Sequence, residues 1–113
     1  MLSIYGIKNC DSVKKAIAFF KKNDLAYNFI DFTQTPVEEN KIQNWLQYTD
    51  TKTLFNSRST TYRELKLKEL KLDDAQKIIW MAKENKLIKR PVVEYNDTIV
   101  VGFNEDNYKG VFL

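Results

Sequence analysis

The chain has 113 residues, 43% of them hydrophobic and 29% charged, with a formal net charge of +3, one cysteine and no histidine. That length suits one compact domain spanning residues 1–113 with a single real core. The small positive excess, spread over scattered lysines, argues against direct nucleic-acid binding. Without histidine there can be no Cys–His or Ser–His–Asp catalysis and no histidine-ligated metal. With only Gly6, Gly102 and Gly110 there is no phosphate-cradling loop, so neither a metal site nor a tightly bound cofactor is expected. No apolar run approaches a membrane span and the N-terminus lacks a signal-peptide pattern, so a soluble cytoplasmic protein is expected.

Leu2 to Tyr5 reads as a short strand with Gly6 as its exit. Val13, Ala16, Ile17 and Phe20 then mark one face of a helix that ends at Asn23-Asp24. Tyr27 to Phe32 is rich in strand formers. Thr35-Pro36 predicts the N-cap and first turn of a second helix with Ile42, Trp45 and Leu46 as its apolar stripe. Residues 49–74 are less regular; Thr61 with Glu64 fits a capping box for a short helix over Tyr62 to Lys66. Asp73 can cap a further helix burying Ala75, Ile78, Ile79 and Ala82. The helical spacing of Trp45 and Trp80 among aliphatic residues predicts that both are core. Val92 to Tyr95 and Thr98 to Val101, linked by Asn96-Asp97, form a hairpin signal, and Asn104 caps a last helix. The order β-α-β, a helical insertion over roughly 36–86, then β-β-α predicts an α/β domain with a mixed four-stranded sheet.

Cys10 falls where the first strand has turned through Gly6 and the helical pattern begins, among Asn9, Asp11 and Ser12. A lone cysteine is commonly a small core hydrophobe, but these neighbours belong to a polar turn. A helix N-terminus favours thiolate over thiol, so Cys10 reads as a reactive thiol. A single cysteine fits a reducing compartment, and any disulfide it makes must be with another molecule.

Four segments carry a family likeness: Tyr5-Gly6-Ile7-Lys8-Asn9-Cys10-Asp11-Ser12, Leu54-Phe55-Asn56-Ser57-Arg58-Ser59-Thr60-Thr61-Tyr62-Arg63, Ile88-Lys89-Arg90-Pro91-Val92-Val93 and Val101-Gly102-Phe103-Asn104-Glu105-Asp106. In order and spacing they resemble the ArsC/YffB/Spx family of arsenate reductase-like proteins with a thioredoxin fold and a helical insertion. The first two are most similar to the YffB branch of glutathione-dependent thiol reductases. The last is closer to Spx, a transcription regulator that binds RNA polymerase.

The resemblance implies Cys10 as nucleophile, Arg90 as its cationic partner and a cis peptide before Pro91. It also implies that Arg90 holds an anionic substrate group, since guanidinium suits carboxylates and oxyanions, with Ser12, Asn9 and Arg58 as further anion-binding residues; Arg58 reads alternatively as a structural tie of the insertion to the sheet. Asp11 works against the thiolate, and Arg63 reads as structural or surface. Arsenate reductases of this kind bring a further arginine near the stretch after the last hairpin, which here reads Ile99-Val100-Val101-Gly102-Phe103-Asn104. Spx proteins carry Cys-x-x-Cys where this chain has Cys10 and Val13. The expectation is a monothiol, glutathione-dependent thiol/disulfide reductase. Glutathione or a similar thiol would be co-substrate, an oxidised thiol compound the substrate and glutaredoxin a further partner. An Spx-like regulator bound to the RNA polymerase α subunit and a true arsenate reductase are the alternatives.

Overall fold

The computed structural model describes residues 2–113, and the elements run in order β1 (Leu2–Gly6), α1 (Asp11–Lys22), β2 (Tyr27–Asp31), α2 (Glu39–Trp45), α3 (Thr51–Leu54), α4 (Thr60–Glu64), α5 (Asp74–Lys83), β3 (Val92–Tyr95), β4 (Thr98–Val101) and α6 (Glu105–Phe112). Two short 3-10 segments, Leu67–Leu70 and Asn85–Leu87, flank α5. The chain forms two compact units: its two ends, up to Asp31 and from Arg90 onward, make one, and Phe32–Lys89 makes the other.

The first unit is a mixed four-stranded sheet in the order β2-β1-β3-β4, with β1–β2 parallel and the other two pairs antiparallel. This is the thioredoxin-like α/β fold. Alternation along β1 turns Leu2 and Ile4 to the core, where they join Val93 of β3 and Val100 of β4. Ala16, Phe19 and Phe20 of α1 and Tyr108 and Phe112 of α6 close this core. Phe20 lies 5.7 Å from the Tyr108 ring and 5.1 Å from that of Phe112, within the range where aromatic pairs add to their burial. Tyr108 is fully buried; its hydroxyl donates to the Gly102 carbonyl at 2.6 Å, and burial pushes its pKa far above the usual tyrosine value. The β3–β4 turn places Asn96 at φ 54°, a left-handed conformation that asparagine tolerates better than most residues.

The second unit is helical and departs from expectation in three places. The second helix starts at Glu39, not at Thr35-Pro36, because Val37 is held outside it. The Val37 N–H donates to Asn85 Oδ1 (2.9 Å) and Asn85 Nδ2 donates back to the Val37 carbonyl (3.1 Å) and to that of Met81 (2.8 Å). The α4 cap is Ser59, whose hydroxyl accepts from the Tyr62 N–H at 3.1 Å, rather than Thr61 with Glu64. The α5 helix is capped at Asp73 in a full capping box with Gln76, but its buried residue is Met81. Ala75 is exposed, Ile78 and Ala82 are half-buried, and Ile79 is 52% exposed. Lys77 is half-buried like Ile78, and its ammonium lies over the Phe55 ring at 5.7 Å. Trp45 is fully buried, whereas Trp80 is only half-buried, with the Lys83 ammonium 5.0 Å from its ring.

Candidate active site around Cys10

Strand register fixes which segments share one end of the sheet. Tyr5 pairs with Val92 in the antiparallel β1–β3 ladder, so the next step brings Gly6 level with Pro91. Gly6 pairs with Asp31 on its other side, and Val92 pairs with Val101. The Gly102 N–H, at φ 80°, donates to the Pro91 carbonyl at 2.8 Å. The chain therefore leaves β1 toward Cys10, enters β3 through Arg90-Pro91 and leaves β4 through Gly102, all at one end. The Arg90–Pro91 peptide is cis.

Gly6 seats the helix that follows. A Cβ there would meet Val13 Cγ2 at 2.6 Å, so the first turn of α1 packs directly on the strand end, and Val13 is fully buried. Cys10 is the N-cap of α1, with extended backbone (φ −137°, ψ 125°), and its carbonyl accepts from the Lys14 N–H at 2.9 Å. Its side chain makes no capping hydrogen bond, which leaves the thiol available, and the residue is half-buried. It occupies the helix end where negative charge is favoured, although Asp11, exposed in the first turn, competes for that field.

Asn9 is exposed, and its Oδ1 accepts from Lys14 Nζ at 3.4 Å; Ser12 is half-buried in the first turn. Arg90 is half-buried, with its Nε shielded from solvent, and Pro91 is buried. Asn9, Cys10, Ser12, Arg90 and Pro91 thus share one sheet end. Arg58 belongs to the helical unit, where it is exposed and its N–H donates to Asn56 Oδ1 at 3.1 Å. Sequence reasoning did not single out Asp31 and Gly102 for this end. The glycine directly after the last hairpin was the available signal for Gly102; the parallel register of β2 places Asp31. The first unit also holds a cleft of about 460 Å³ lined by Lys15, Phe19, Phe103 and Lys109 among others; Cys10 is not part of it. Among the described residues, no group of His, Cys, Asp and Glu is placed to hold a metal ion, and no helix is long and apolar enough to cross a membrane.

Residues 5–111 match the model of the ArsC family. The chain belongs to the ArsC family. Among solved structures it is similar to the YffB (PA3664) protein, with a TM-score of 0.94 and 32% identity over 100% of both chains. It also resembles a possible arsenate reductase from Streptococcus mutans, with a TM-score of 0.80 and 28% identity over 96% of this chain and 98% of the other. The global transcriptional regulator Spx 2 of Oceanobacillus iheyensis is 32% identical over 96% of this chain and 81% of its own length. The family thus joins arsenate reductase-like and Spx-like relatives on one thioredoxin-like fold.

Proposed function

We propose that this ArsC-family protein is a cytoplasmic monothiol thiol/disulfide reductase with Cys10 as nucleophile and glutathione, or a similar thiol, as co-substrate. The observation that carries the reading is a half-buried cysteine at the N-cap of α1 whose side chain makes no capping hydrogen bond. In the first step the Cys10 thiolate attacks one sulfur of a disulfide R–S–S–R′. A Cys10–S–S–R bond forms, the original S–S bond breaks, and R′–S⁻ leaves with the electron pair and takes a proton from solvent. In the second step a glutathione thiolate attacks Cys10 Sγ, a Cys10–S–S–glutathione bond forms and R–S⁻ leaves to take a proton; a second glutathione thiolate then attacks the glutathionyl sulfur, glutathione disulfide forms and Cys10 leaves as thiolate. The net result is reduction of one disulfide by two glutathione thiols, and no second cysteine in the chain is needed. Arg90 would hold the carboxylate of the incoming thiol, with Asn9 and Ser12 donating hydrogen bonds. A glutaredoxin could act as an alternative reductant.

Incubation with glutathione disulfide, followed by intact-mass measurement, tests the reading. One glutathionyl group should appear on wild type and none on Cys10→Ser, and excess glutathione should remove it. Turnover of a glutathionylated peptide by Cys10→Ser at the wild-type rate would refute it. The similarity to Spx 2 favours a second reading, a regulator that binds the RNA polymerase α subunit; co-purification with that subunit, unaltered in Cys10→Ser, would support it. Arsenate reduction is the third, tested by arsenate resistance conferred on a sensitive bacterium.

A further inference from the structure

The helical unit contains a cleft of about 310 Å³ that the thiol chemistry does not use. Its lining includes Lys52, Lys71, Lys77, Ser57, Tyr62 and Phe55, three ammonium groups and two hydroxyls with no carboxylate. Asp50, Asp73 and Asp74, near in sequence to the lining residues, do not themselves line the cleft and hold hydrogen bonds elsewhere. Asp50 caps α3 by accepting from the Thr53 N–H at 2.7 Å, and its charge lies in the field of Lys52. Asp73 completes the α5 capping box, and Asp74 accepts from the Thr51 hydroxyl at 2.6 Å. The cleft also has aromatic walls. Phe55 and Tyr62 meet edge to face at 5.7 Å, and the Lys77 ammonium stands over the Phe55 ring. Lys71 reaches the rim from a left-handed backbone conformation, φ 48°, which a branched or bulky residue rarely adopts.

We propose that this cleft binds a small organic phosphate, its phosphoryl group among Lys52, Lys71 and Lys77 and a planar apolar group against the half-buried Tyr62. Ammonium groups and hydroxyls suit the doubly charged phosphoryl oxygens, and no lining residue sets a carboxylate directly against them. The aromatic walls reward a flat apolar substituent that inorganic phosphate lacks.

Amide chemical-shift titration of the full chain with phenyl phosphate, inorganic phosphate and benzyl alcohol tests this. Phenyl phosphate should give saturable shifts at Lys52, Ser57, Tyr62 and Lys71. Inorganic phosphate should bind the same residues more weakly, and benzyl alcohol should leave them unmoved. Lys77→Gln should weaken phenyl phosphate by about fivefold at low salt, as expected for one partly exposed ionic contact. Lys71→Gly relieves the left-handed backbone, so it should keep or raise the melting temperature while weakening binding to a similar extent; loss of binding then cannot be ascribed to unfolding. Cys10→Ser should bind as wild type, which separates this site from the thiol reaction. Non-saturating shifts, shifts as large at Lys14 and Lys15 of α1, or full affinity retained in both lysine variants would overturn the proposal.

Discussion

Replacing Gly6 by alanine should loosen the seat of α1 and with it the placement of Cys10. The added Cβ would stand 2.6 Å from Val13 Cγ2, against a comfortable carbon–carbon separation of about 3.5–4.0 Å, so roughly 1 Å of overlap must be relieved. Val13 is fully buried and has no open side into which to rotate, so β1 and α1 must part. Overpacking of this kind costs about 1–3 kcal/mol. Alanine's smaller unfolded-state entropy returns up to about 1 kcal/mol, leaving a net loss of about 1–2 kcal/mol. For a domain of this size that is a fall in Tm of about 4–8 °C. Val13→Ala alone should cost about 2 kcal/mol, from two lost methyls and the cavity they leave. Urea unfolding of both single variants and the double variant gives the test. The double variant should be at least about 1 kcal/mol more stable than the sum of the singles, because the truncated Val13 makes room for the new methyl. Additivity within about 0.5 kcal/mol would refute the steric argument.

Asn85→Ala should destabilise the helical unit by about 2–4 kcal/mol, since it leaves the Val37 N–H and the Val37 and Met81 carbonyls without their partner; denaturant unfolding measures it, and a loss under 1 kcal/mol would contradict the assigned hydrogen bonds. The Thr53 hydrogen bonds, side-chain and backbone, hold the Asp50 carboxyl below its ordinary value, so its cap is complete above that value and is lost as the pH falls through the lowered folded-state value. Amide exchange at Thr53 should therefore quicken in acid relative to Tyr62, whose cap acceptor is the Ser59 hydroxyl, and Asp50→Asn should flatten the difference.

Local chemistry made the sheet unit legible. The alternating, β-branched runs at Val92–Tyr95 and Thr98–Val101, joined by Asn96-Asp97, fall where the strands are, and the apolar row of α1 is buried as its spacing implies, except that Ile17 is only partly buried. The helical unit was harder because its decisive contacts are long-range. Nothing near Pro36 announces that Asn85, 48 residues from Val37, will hold the chain out of a helix. Nor does periodicity in α5 reveal that Lys77 will lie across Phe55 and leave Ile79 facing water. At the site, the position of Cys10 could be read because strand, glycine and helix follow one another directly. The level of Arg90-Pro91 with Gly6 depends on strand pairing across more than 80 residues, and only the family likeness hinted at it. Arg58 lies on an exposed turn of the helical unit, as its polar neighbours Asn56, Ser57 and Ser59 imply.

The discontinuity of the sheet unit sets an order of assembly during synthesis. The helical unit, Phe32–Lys89, is contiguous and is synthesised in full before β3. At that moment β1 has only β2 beside it, and the segment that brings Arg90 and Pro91 level with Gly6 has yet to be made. A nascent chain therefore carries the thiol before the helical unit is made and completes the surroundings of that thiol only after it. Until β3 is made, Cys10 is a cysteine without its site.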